Sequence, residues 1–371
     1  MTPIDRRLIF SLNWQLLLLV AALFTVGVFN LYSASGVRVE EGVALSPYYQ
    51  KQVIWGLAGL FCMVVVMLPD YRYLKSLAWP LMCLTLILLA LVPVMGRSVY
   101  GAKRWLDLGA MNFQPSELAK ISVLLLASRM LANDSCKLGW LGLFSVLAAC
   151  MLPAAMIVVQ PDLGSGLNIL LLLGGLILYR GLTGGVFKTL ILAVPAVMPL
   201  AWRFLKPYQK QRILTFLNPE NDPLGSGYHI IQSQIAVGSG KVWGKGFLEG
   251  SQSQLRFLPE KHTDFAVAVF SEEWGFIGVV VLLSLFAFFL LRIYVSARDA
   301  KDRFGSFLCA GVFFYFFWQI TINIGMVIGL MPVVGIPLPF ISYGGSATIV
   351  NFCLIGLVQS VSMRRYVFKK S

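Results

Sequence analysis

The sequence predicts an all-α protein that crosses a membrane about ten times, and three features of the chain lead to this fold class. Hydrophobic residues make up 58% of the 371 positions and charged residues only 13%, whereas a soluble globular chain carries about 25% charge. The apolar residues also fall into ten long runs, and a bilayer core needs about 20 such residues per helix. These features exclude a soluble protein.

The ten runs follow one another along a single domain that covers residues 1–371. They span residues 14–32, 53–69, 77–95, 115–132, 140–159, 164–179, 186–204, 265–291, 305–330 and 344–362. The first run is too long for a removed signal peptide and lacks a small-residue cleavage site, so we expect it to remain as the first helix. A large extracytoplasmic loop, residues 205–263, separates the seventh and eighth runs.

The distribution of lysine and arginine predicts which loops face the cytoplasm. With a cytoplasmic N-terminus, sixteen of these residues lie inside, five lie in short outer loops, and eight lie in the segment 203–261. Basic residues in short loops set the orientation of a membrane protein, whereas long loops carry little weight. We therefore expect both termini to be cytoplasmic and the loop 205–263 to lie outside.

Charge and cysteine content narrow the classes of ligand. The eight basic residues of the segment 203–261 indicate an anionic ligand at the outer surface, attracted by their summed field, and an interfacial aromatic belt with solvated lysines is the alternative. Two histidines and six cysteines without a CxxC pair predict neither a zinc site nor a disulfide framework. The segment Ser239–Gly246 matches the phosphate-binding P-loop only in part and has no βα unit around it, so we expect no nucleotide and no nucleic acid to bind.

Two neighbouring segments carry charges where the fourth run begins. Glu117 and Lys120 lie three residues apart on one helix face, and charges at membrane depth are functional candidates. They form either a structural ion pair or a cavity wall in which the lysine meets a phosphate. Just upstream, Lys103 and Arg104 would supply phosphate-binding cations. Trp105 is either a headgroup anchor or a ring that stacks on a sugar face.

The segment just before the eighth run has the densest cluster of titratable residues. It contains Glu260, Lys261, His262 and Asp264. Asp264 is either the cap of the following helix or a general base, because a carboxylate at a partly desolvated boundary has a raised proton affinity. Elsewhere, Asp162 is expected to cap the sixth helix.

The proline- and glycine-rich segment Met331–Ala347 joins the last two runs. Backbone groups left unpaired at membrane depth are tolerated only when they are buried in protein or line a cavity. This segment therefore predicts a cavity near the outer face. Gln319 and Asn323 in the ninth run are expected to hydrogen-bond between helices.

Six segments of the chain resemble motifs of the SEDS family, the shape, elongation, division and sporulation proteins of bacteria. In the family's order they are RWLDLG, FQPSELAK, QPDLG, NPENDPLGSGYHIIQS, FLPEKHTDF and GLMPVVGIPLPFISYGGSA, between residues 104 and 347. The forms PVVGIPLP and PLGSGYHIIQS are similar to the RodA branch rather than to the division branch, FtsW. Residues 1–100 and 350–371 match the family only in hydropathy.

The resemblance implies a peptidoglycan glycosyltransferase of the bacterial inner membrane. Such an enzyme polymerises lipid II on the outer face during cell elongation and releases undecaprenyl pyrophosphate. The implied partners are a class B penicillin-binding protein resembling PBP2, which crosslinks the strands, other membrane proteins of the elongation machinery, and membrane lipids. The family's essential acidic residue falls on Asp264, its conserved tryptophan on Trp105, and its intramembrane pair on Glu117 and Lys120.

The chemistry of such an enzyme agrees with these residues. A lipid pyrophosphate leaves readily, unlike the alkoxide that a glycosidase must protonate, so one base and several cations suffice. As a hypothesis, Asp264 takes the proton from the acceptor's 4-hydroxyl group, and the anomeric centre inverts. A divalent cation, Mg²⁺ or Mn²⁺, bound at Asp264 is compatible with this chemistry. The residues expected to bind the substrate are Lys103, Arg104, Trp105, Glu117, Lys120, Arg212 and His262.

A lipid II flippase or transporter is the alternative from another class, because ten helices and a basic cavity also describe one. A scaffold without chemistry is a third hypothesis. Asp264 discriminates among them, since a flippase needs no carboxylate at the outer surface beside a sugar-binding aromatic ring.

Overall fold

The computed structural model describes residues 11–35, 48–99, 102–107, 112–133, 136–222, 225–255, 257–258 and 260–365. Within these ranges, ten helices of 18 to 33 residues account for the ten apolar runs. The predicted all-α, multi-pass fold is therefore confirmed. The two termini, predicted to be cytoplasmic, fall at residues 1–10 and 366–371, outside the described ranges.

Most helices begin and end close to the predicted runs. In chain order they are α1 (Trp14–Ala34), α2 (Tyr48–Met67), α3 (Tyr71–Met95), α4 (Pro115–Ala132), α5 (Trp140–Val159), α6 (Leu163–Arg180), α7 (Gly184–Phe204), α8 (Pro207–Leu217), α9 (Ser226–Ser239), α10 (Ser251–Gln254), α11 (Ala266–Arg298), α12 (Arg303–Val327) and α13 (Gly345–Met363). A single 3-10 turn, Pro219–Asn221, follows α8. The three short helices α8, α9 and α10 occupy the long loop between α7 and α11.

Eight of the described helices are long and apolar enough to cross a membrane. The other two long helices differ for reasons visible in the sequence. Helix α4 carries Glu117, Lys120 and Arg129, and the apolar part of α7 is limited to Gly184–Val197. Helix α4 packs against α3, α5, α6 and α12, and protein surrounds Glu117 and Lys120, whereas Arg129 near the end of the helix is partly exposed.

A small antiparallel sheet, which was not predicted, forms in the connection between α3 and α4. Its strands are β1 (Arg97–Val99), β2 (Ala102–Asp107) and β3 (Asn112–Phe113), in the order β1-β2-β3. In the register, Leu106 faces Phe113, only two residues before α4 begins. The basic and aromatic segment of the sequence is therefore held in a strand beside the first turn of α4.

The eighth run is not one continuous helix. Gly275 interrupts α11 with φ 63° and ψ −164°, a conformation that favours glycine. The turn Ser239–Gly246 enters this break, where four backbone hydrogen bonds of 2.9 to 3.2 Å join it to both sides, among them Phe276 N to Lys241 O at 2.9 Å. A Cβ atom at Gly275 would lie 2.2 Å from Gly244 N. The glycines that resembled a P-loop thus permit contact between two backbones.

Glu272 on α11 forms buried hydrogen bonds with the long loop between α7 and α11. Its buried carboxylate accepts hydrogen bonds from Lys245 Nζ at 2.7 Å, from Gln252 N at 2.9 Å and from Ser253 N at 3.3 Å. These bonds and the inserted turn hold the loop against the helix that carries Asp264 just before its first residue.

Candidate active site

A cavity of about 220 Å³ lies at the end of the bundle where the predicted outer loops meet. Its wall comes from β2, from the first turns of α4 and α6, from the residues before α11, and from segments 335–337 and 343–347. Four connections between helices thus meet at one cavity. They lie at the same end of the bundle because successive helices run in opposite directions. The lining residues predicted from the sequence are Arg104, Trp105, Glu117, Lys120 and Asp264.

Asp264 contributes a carboxylate that the surrounding residues leave unbonded. Among the described residues, no group donates a hydrogen bond to its side chain, whereas its backbone oxygen accepts one from Asn323 Nδ2 at 3.0 Å. Burial, reinforced by the charge of Glu260, raises the pKa of Asp264 to about 6, and the charge of Arg212 opposes this shift. The carboxylate therefore stays ionised at neutral pH but has an increased affinity for a proton.

The alternative role of Asp264 as a helix cap is not observed. The residue at the cap position of α11 is Phe265, and no side chain forms a cap hydrogen bond there. Asp162, by contrast, does cap α6, because its carboxylate accepts from Ser165 N at 3.2 Å. Its second oxygen accepts from Gln114 Nε2 at 3.2 Å and from Ser116 Oγ at 3.4 Å, which ties the starts of α4 and α6 together.

Glu117 and Lys120 form a buried ion pair on the cavity wall. Lys120 Nζ donates to Glu117 Oε1 at 2.6 Å, and it lies 5.8 Å from the centre of the Tyr315 ring. Glu117 Oε2 has no hydrogen-bond partner among the described residues. The pair is therefore both an internal ion pair and a polar wall of the cavity, so the two interpretations drawn from the sequence do not exclude each other.

Strand β2 brings Arg104 and Trp105 to the same cavity. The Arg104 guanidinium donates a hydrogen bond to the backbone oxygen of Pro161, which places it beside the start of α6. The buried Nε atom of Arg104 has no partner among the described residues. Lys103 points elsewhere, since its ammonium donates to Pro93 O at 3.2 Å and it does not line the cavity.

The two remaining predicted residues lie outside the cavity lining. The His262 ring stacks on Tyr48 with the ring centres 4.2 Å apart, and its backbone oxygen accepts from Tyr343 N at 2.8 Å. Burial lowers the pKa of His262, although the charge of Glu260 opposes the shift, so the imidazole is neutral at pH 7. Arg212 lies on α8 and reaches Asp264 only through its charge. Substrate binding by Lys103, Arg212 and His262 stays a prediction.

The segment Met331–Ala347 lines the cavity with irregular backbone, as predicted. Asn323 Nδ2 donates to Ile336 O at 2.8 Å as well as to Asp264 O, so this amide joins α12 to the segments that precede α13 and α11 rather than directly to another helix. Gln319 Nε2 donates to Tyr315 Oη of the same helix at 3.1 Å, so the bond between helices expected for Gln319 is not observed among the described residues. Gly164 in the first turn of α6 allows the backbone of the segment Met331–Ala347 to approach this helix closely, because a Cβ atom at Gly164 would lie 2.6 Å from Val334 O.

Sequence analysis missed several polar residues that line the cavity. Gln114, Asn168, Thr263 and Tyr343 are part of the wall. Asn168 had a usable signal, since it is an amide inside an apolar run, and polar residues at membrane depth are functional candidates. The other three lie inside motifs of the resemblance, but their residue types alone did not single them out as site residues.

The described residues include no group of three or more His, Cys, Asp and Glu side chains that would bind a metal ion by themselves. Mg²⁺ in phosphate-transfer sites is commonly held by one or two carboxylates together with the phosphates of the substrate. The unbonded carboxylate of Asp264 fits that pattern.

Comparison with known proteins places the chain in a family. The family model FTSW_RODA_SPOVE, described as Cell cycle protein, matches residues 14–367. The chain is 41% identical over 364 residues to the peptidoglycan glycosyltransferase MrdB of Escherichia coli (strain K12), with 97% of this chain and 96% of that protein covered.

Two solved structures share the fold. One is a chain from "Structural coordination of polymerization and crosslinking by a peptidoglycan synthase complex", with a TM-score of 0.81, 33% identity, and coverage of 96% of this chain and 99% of that chain. The other is the rod shape determining protein RodA of Thermus thermophilus, with a TM-score of 0.71, 30% identity, and coverage of 96% and 98%.

Five of the six motifs that suggested a family from the sequence contribute residues to the cavity, and the motif at 218–233 does not. They supply Arg104 and Trp105, the ion pair of α4, the cap of α6 and Asp264. The likeness to known proteins extends beyond these motifs to nearly the whole length of the chain. The chain therefore belongs to the FtsW/RodA/SpoVE family, the SEDS proteins that its motifs resemble.

Proposed function

We propose that this protein is a peptidoglycan glycosyltransferase that polymerises lipid II into glycan strands during cell elongation, with undecaprenyl pyrophosphate as the leaving group. The observation that carries the proposal is the composition of the cavity wall. An unbonded carboxylate, Asp264, shares one space with the cations Lys120 and Arg104 and with the aromatic ring of Trp105. A base, phosphate-binding cations and a sugar-stacking ring are the groups that this transfer needs.

The transfer forms one bond and breaks one. The 4-hydroxyl oxygen of the acceptor sugar attacks the anomeric carbon of the donor, and the bond from that carbon to the pyrophosphate oxygen breaks with inversion. The hydroxyl proton goes to the carboxylate of Asp264, and the electron pair leaves with the pyrophosphate. A base with a pKa of about 6 is ionised at neutral pH and binds a proton more readily than an ordinary aspartate does.

The remaining residues of the wall have supporting roles in this proposal. Lys120 and Arg104 bind the pyrophosphate through charge-assisted hydrogen bonds. Glu117 Oε1 accepts a hydrogen bond from Lys120 Nζ at 2.6 Å and so holds the ammonium group in place. Trp105 offers its ring to a sugar face. In the alternative role left open by the sequence, Asp264 would not take the proton but would hold a divalent cation, Mg²⁺ or Mn²⁺, together with the substrate phosphates, and this cation would neutralise charge on the leaving group.

The partners and the location follow the family. A class B penicillin-binding protein is the proposed crosslinking partner, because a similar chain belongs to a peptidoglycan synthase complex in which polymerization and crosslinking are coordinated. Other elongation-machinery membrane proteins and membrane lipids are further proposed contacts. The charge of the short loops supports cytoplasmic termini and a cavity on the periplasmic side of the inner membrane.

A reconstituted reaction tests the function. The protein purified in detergent, with its crosslinking partner present, should convert lipid II into glycan polymer without nucleotide or ion gradient. Asp264→Asn should form none under the same conditions. Absence of polymer in this assay, together with movement of lipid II between leaflets by wild-type protein reconstituted into liposomes, would support the flippase instead.

A labelling experiment tests the orientation. After replacement of the native cysteines, single cysteines at the exposed positions Glu220 and Lys301 are treated with an impermeant maleimide in intact spheroplasts. We expect labelling at position 220 only. Equal or reversed labelling would contradict a periplasmic cavity.

A further inference from the structure

Asn168 is a buried amide on the cavity wall that lacks hydrogen bonds. Its side chain is 1% exposed, it lines the cavity, and neither Oδ1 nor Nδ2 has a partner among the described residues. A buried polar group without partners is unfavourable for folding, and an apolar side chain of the same size would not carry this penalty. We therefore expect a ligand in the cavity to supply the hydrogen bonds that the Asn168 amide lacks.

The position of Asn168 matches that of Lys120 on the neighbouring helix. Helices α4 and α6 pack together, and the bonds from Gln114 and Ser116 to Asp162 hold their first turns at one level. Lys120 and Asn168 each come five residues after the first residue of their helix, which is about 7 Å further into the bundle at 1.5 Å per residue. A cation and an unpaired amide thus lie at the same depth on one wall.

The chemistry at this depth favours hydrogen-bond acceptors that carry negative charge. Lys120 has three N–H donors and gives one to Glu117, while Asn168 Nδ2 adds two neutral donors. In a lipid-linked sugar the phosphates lie between the sugar, which is in water, and the hydrocarbon tail, which is in the membrane. Asp264 stands before the first residue of α11, nearer the outer end of the bundle than the positions five residues inside α4 or α6, so a sugar would lie beside Asp264. The deeper pair is at the level of the phosphates.

We propose that Asn168 binds the diphosphate of the lipid-linked substrate by donating Nδ2–H to a phosphate oxygen beside Lys120, an inference that rests on the proposed function. The amide oxygen can accept a hydrogen bond from one of the Lys120 N–H groups that do not bind Glu117. A neutral donor suits this place, because a second buried cation beside Lys120 would be repelled by it and would need a further counter-charge.

Binding of undecaprenyl diphosphate, which carries no sugar, tests the assignment. Asn168→Leu keeps the branched shape of the side chain but removes both polar atoms, and Asn168→Asp keeps the size and shape but adds a negative charge. One hydrogen bond to a charged group corresponds to an increase in Kd of about 10- to 100-fold in the leucine variant. The aspartate variant should bind more weakly still, and the ligand-free leucine variant should unfold at the same or a higher temperature than the wild type.

The control is Ser128→Ala on α4. Ser128 has a buried hydroxyl group that, like the Asn168 amide, lacks a partner among the described residues, but Ser128 does not line the cavity. The Kd of this variant for undecaprenyl diphosphate should equal that of the wild type. Wild-type affinity in both Asn168 variants would overturn the assignment, and the aspartate variant decides alone if the leucine variant does not fold. Normal diphosphate binding with impaired turnover of lipid II would also overturn it, since the amide would then contact the sugar. A wild-type protein that neither binds the diphosphate nor forms polymer would instead refute the proposed function.

Discussion

Replacing Asp264 with asparagine removes the negative charge of the carboxylate and leaves the volume of the side chain unchanged. If the carboxylate takes the acceptor's proton, the rate of glycan formation should fall by about 10² to 10⁴, because the amide does not bind a proton at neutral pH. The protein should still fold, since among the described residues the carboxylate makes neither a cap hydrogen bond nor any other hydrogen bond that the change would remove.

The effect on stability has a definite sign. Folding raises the pKa of Asp264 from 3.8 to about 6, so the folded state is disfavoured by the ionised carboxylate above pH 6 and loses this penalty as pH falls toward 4. A rise of two pKa units corresponds to about 3 kcal/mol at most, and partial exposure of the side chain reduces this to about 1–2 kcal/mol. At pH 8 the asparagine variant should therefore be more stable than the wild type, and the difference should shrink at pH 5.

The same pKa predicts the pH dependence of the reaction. Wild-type activity should decline as pH falls through about 6, where Asp264 becomes protonated. The assay follows glycan chains from lipid II on gels between pH 5 and 8.5, with thermal unfolding recorded on the same samples. Near-normal polymer from Asp264→Asn would refute the catalytic role. A rate that is independent of pH in this range would refute the assignment of the base.

Two further changes test the wall of the cavity. Lys120→Met should abolish polymer formation. The double variant with Glu117→Gln should fold, but its rate of polymer formation should remain lower than that of the wild type by on the order of 10²-fold. Recovery of polymer formation in the double variant would show that the ion pair is purely structural. Gly164→Ala should cost about 1–3 kcal/mol of stability and lower activity, because the added Cβ atom would lie 2.6 Å from Val334 O. The matched control is Gly174→Ala on the same helix, where no atom lies within 4 Å of the new Cβ, and thermal unfolding should show equal or greater stability there.

The positions of the helices were predictable because hydropathy alone determines which segments enter a bilayer. The bounds of α4 and α5 coincide with their apolar runs at 115–132 and 140–159. Helices α2 and α3 begin at residues 48 and 71 instead of 53 and 77, because a helix extends through polar first turns that hydropathy does not register. At α3 the cap is Asp70, which accepts from Arg72 N at 2.9 Å.

The break in α11 was not predictable from local sequence. A single glycine in an apolar run is ordinary in membrane helices, and the turn that fills the break at Gly275 comes from Ser239–Gly246, some thirty positions earlier in the chain. The small sheet was missed for a similar reason. Its strands are too short for a period-two pattern, and pairing across the turn holds them.

The charged residues that line the cavity were predictable, and its neutral amides were not. Charges are rare at membrane depth, so Asp264, Glu117 and Lys120 stand out in the sequence. An amide such as Asn168 or Asn323 has two interpretations, a bond between helices or a bond to a ligand, and only the coordinates of its neighbours separate them. Asn323 has partners in two segments, whereas Asn168 has none among the described residues.

The way in which Asp264 is held explains how one carboxylate can serve as a base. Hydrogen bonds to a carboxylate stabilise its ionised form and lower its affinity for a proton, so a base is best positioned without them. Here the positioning bonds go to the backbone, through Asn323 Nδ2 to Asp264 O and through Tyr343 N to His262 O on the preceding turn. The segment therefore has a defined place while the carboxylate keeps its proton affinity. The cations proposed to receive the leaving group, Lys120 and Arg104, lie on α4 and on strand β2, and among the described residues neither of them hydrogen-bonds to the proposed base.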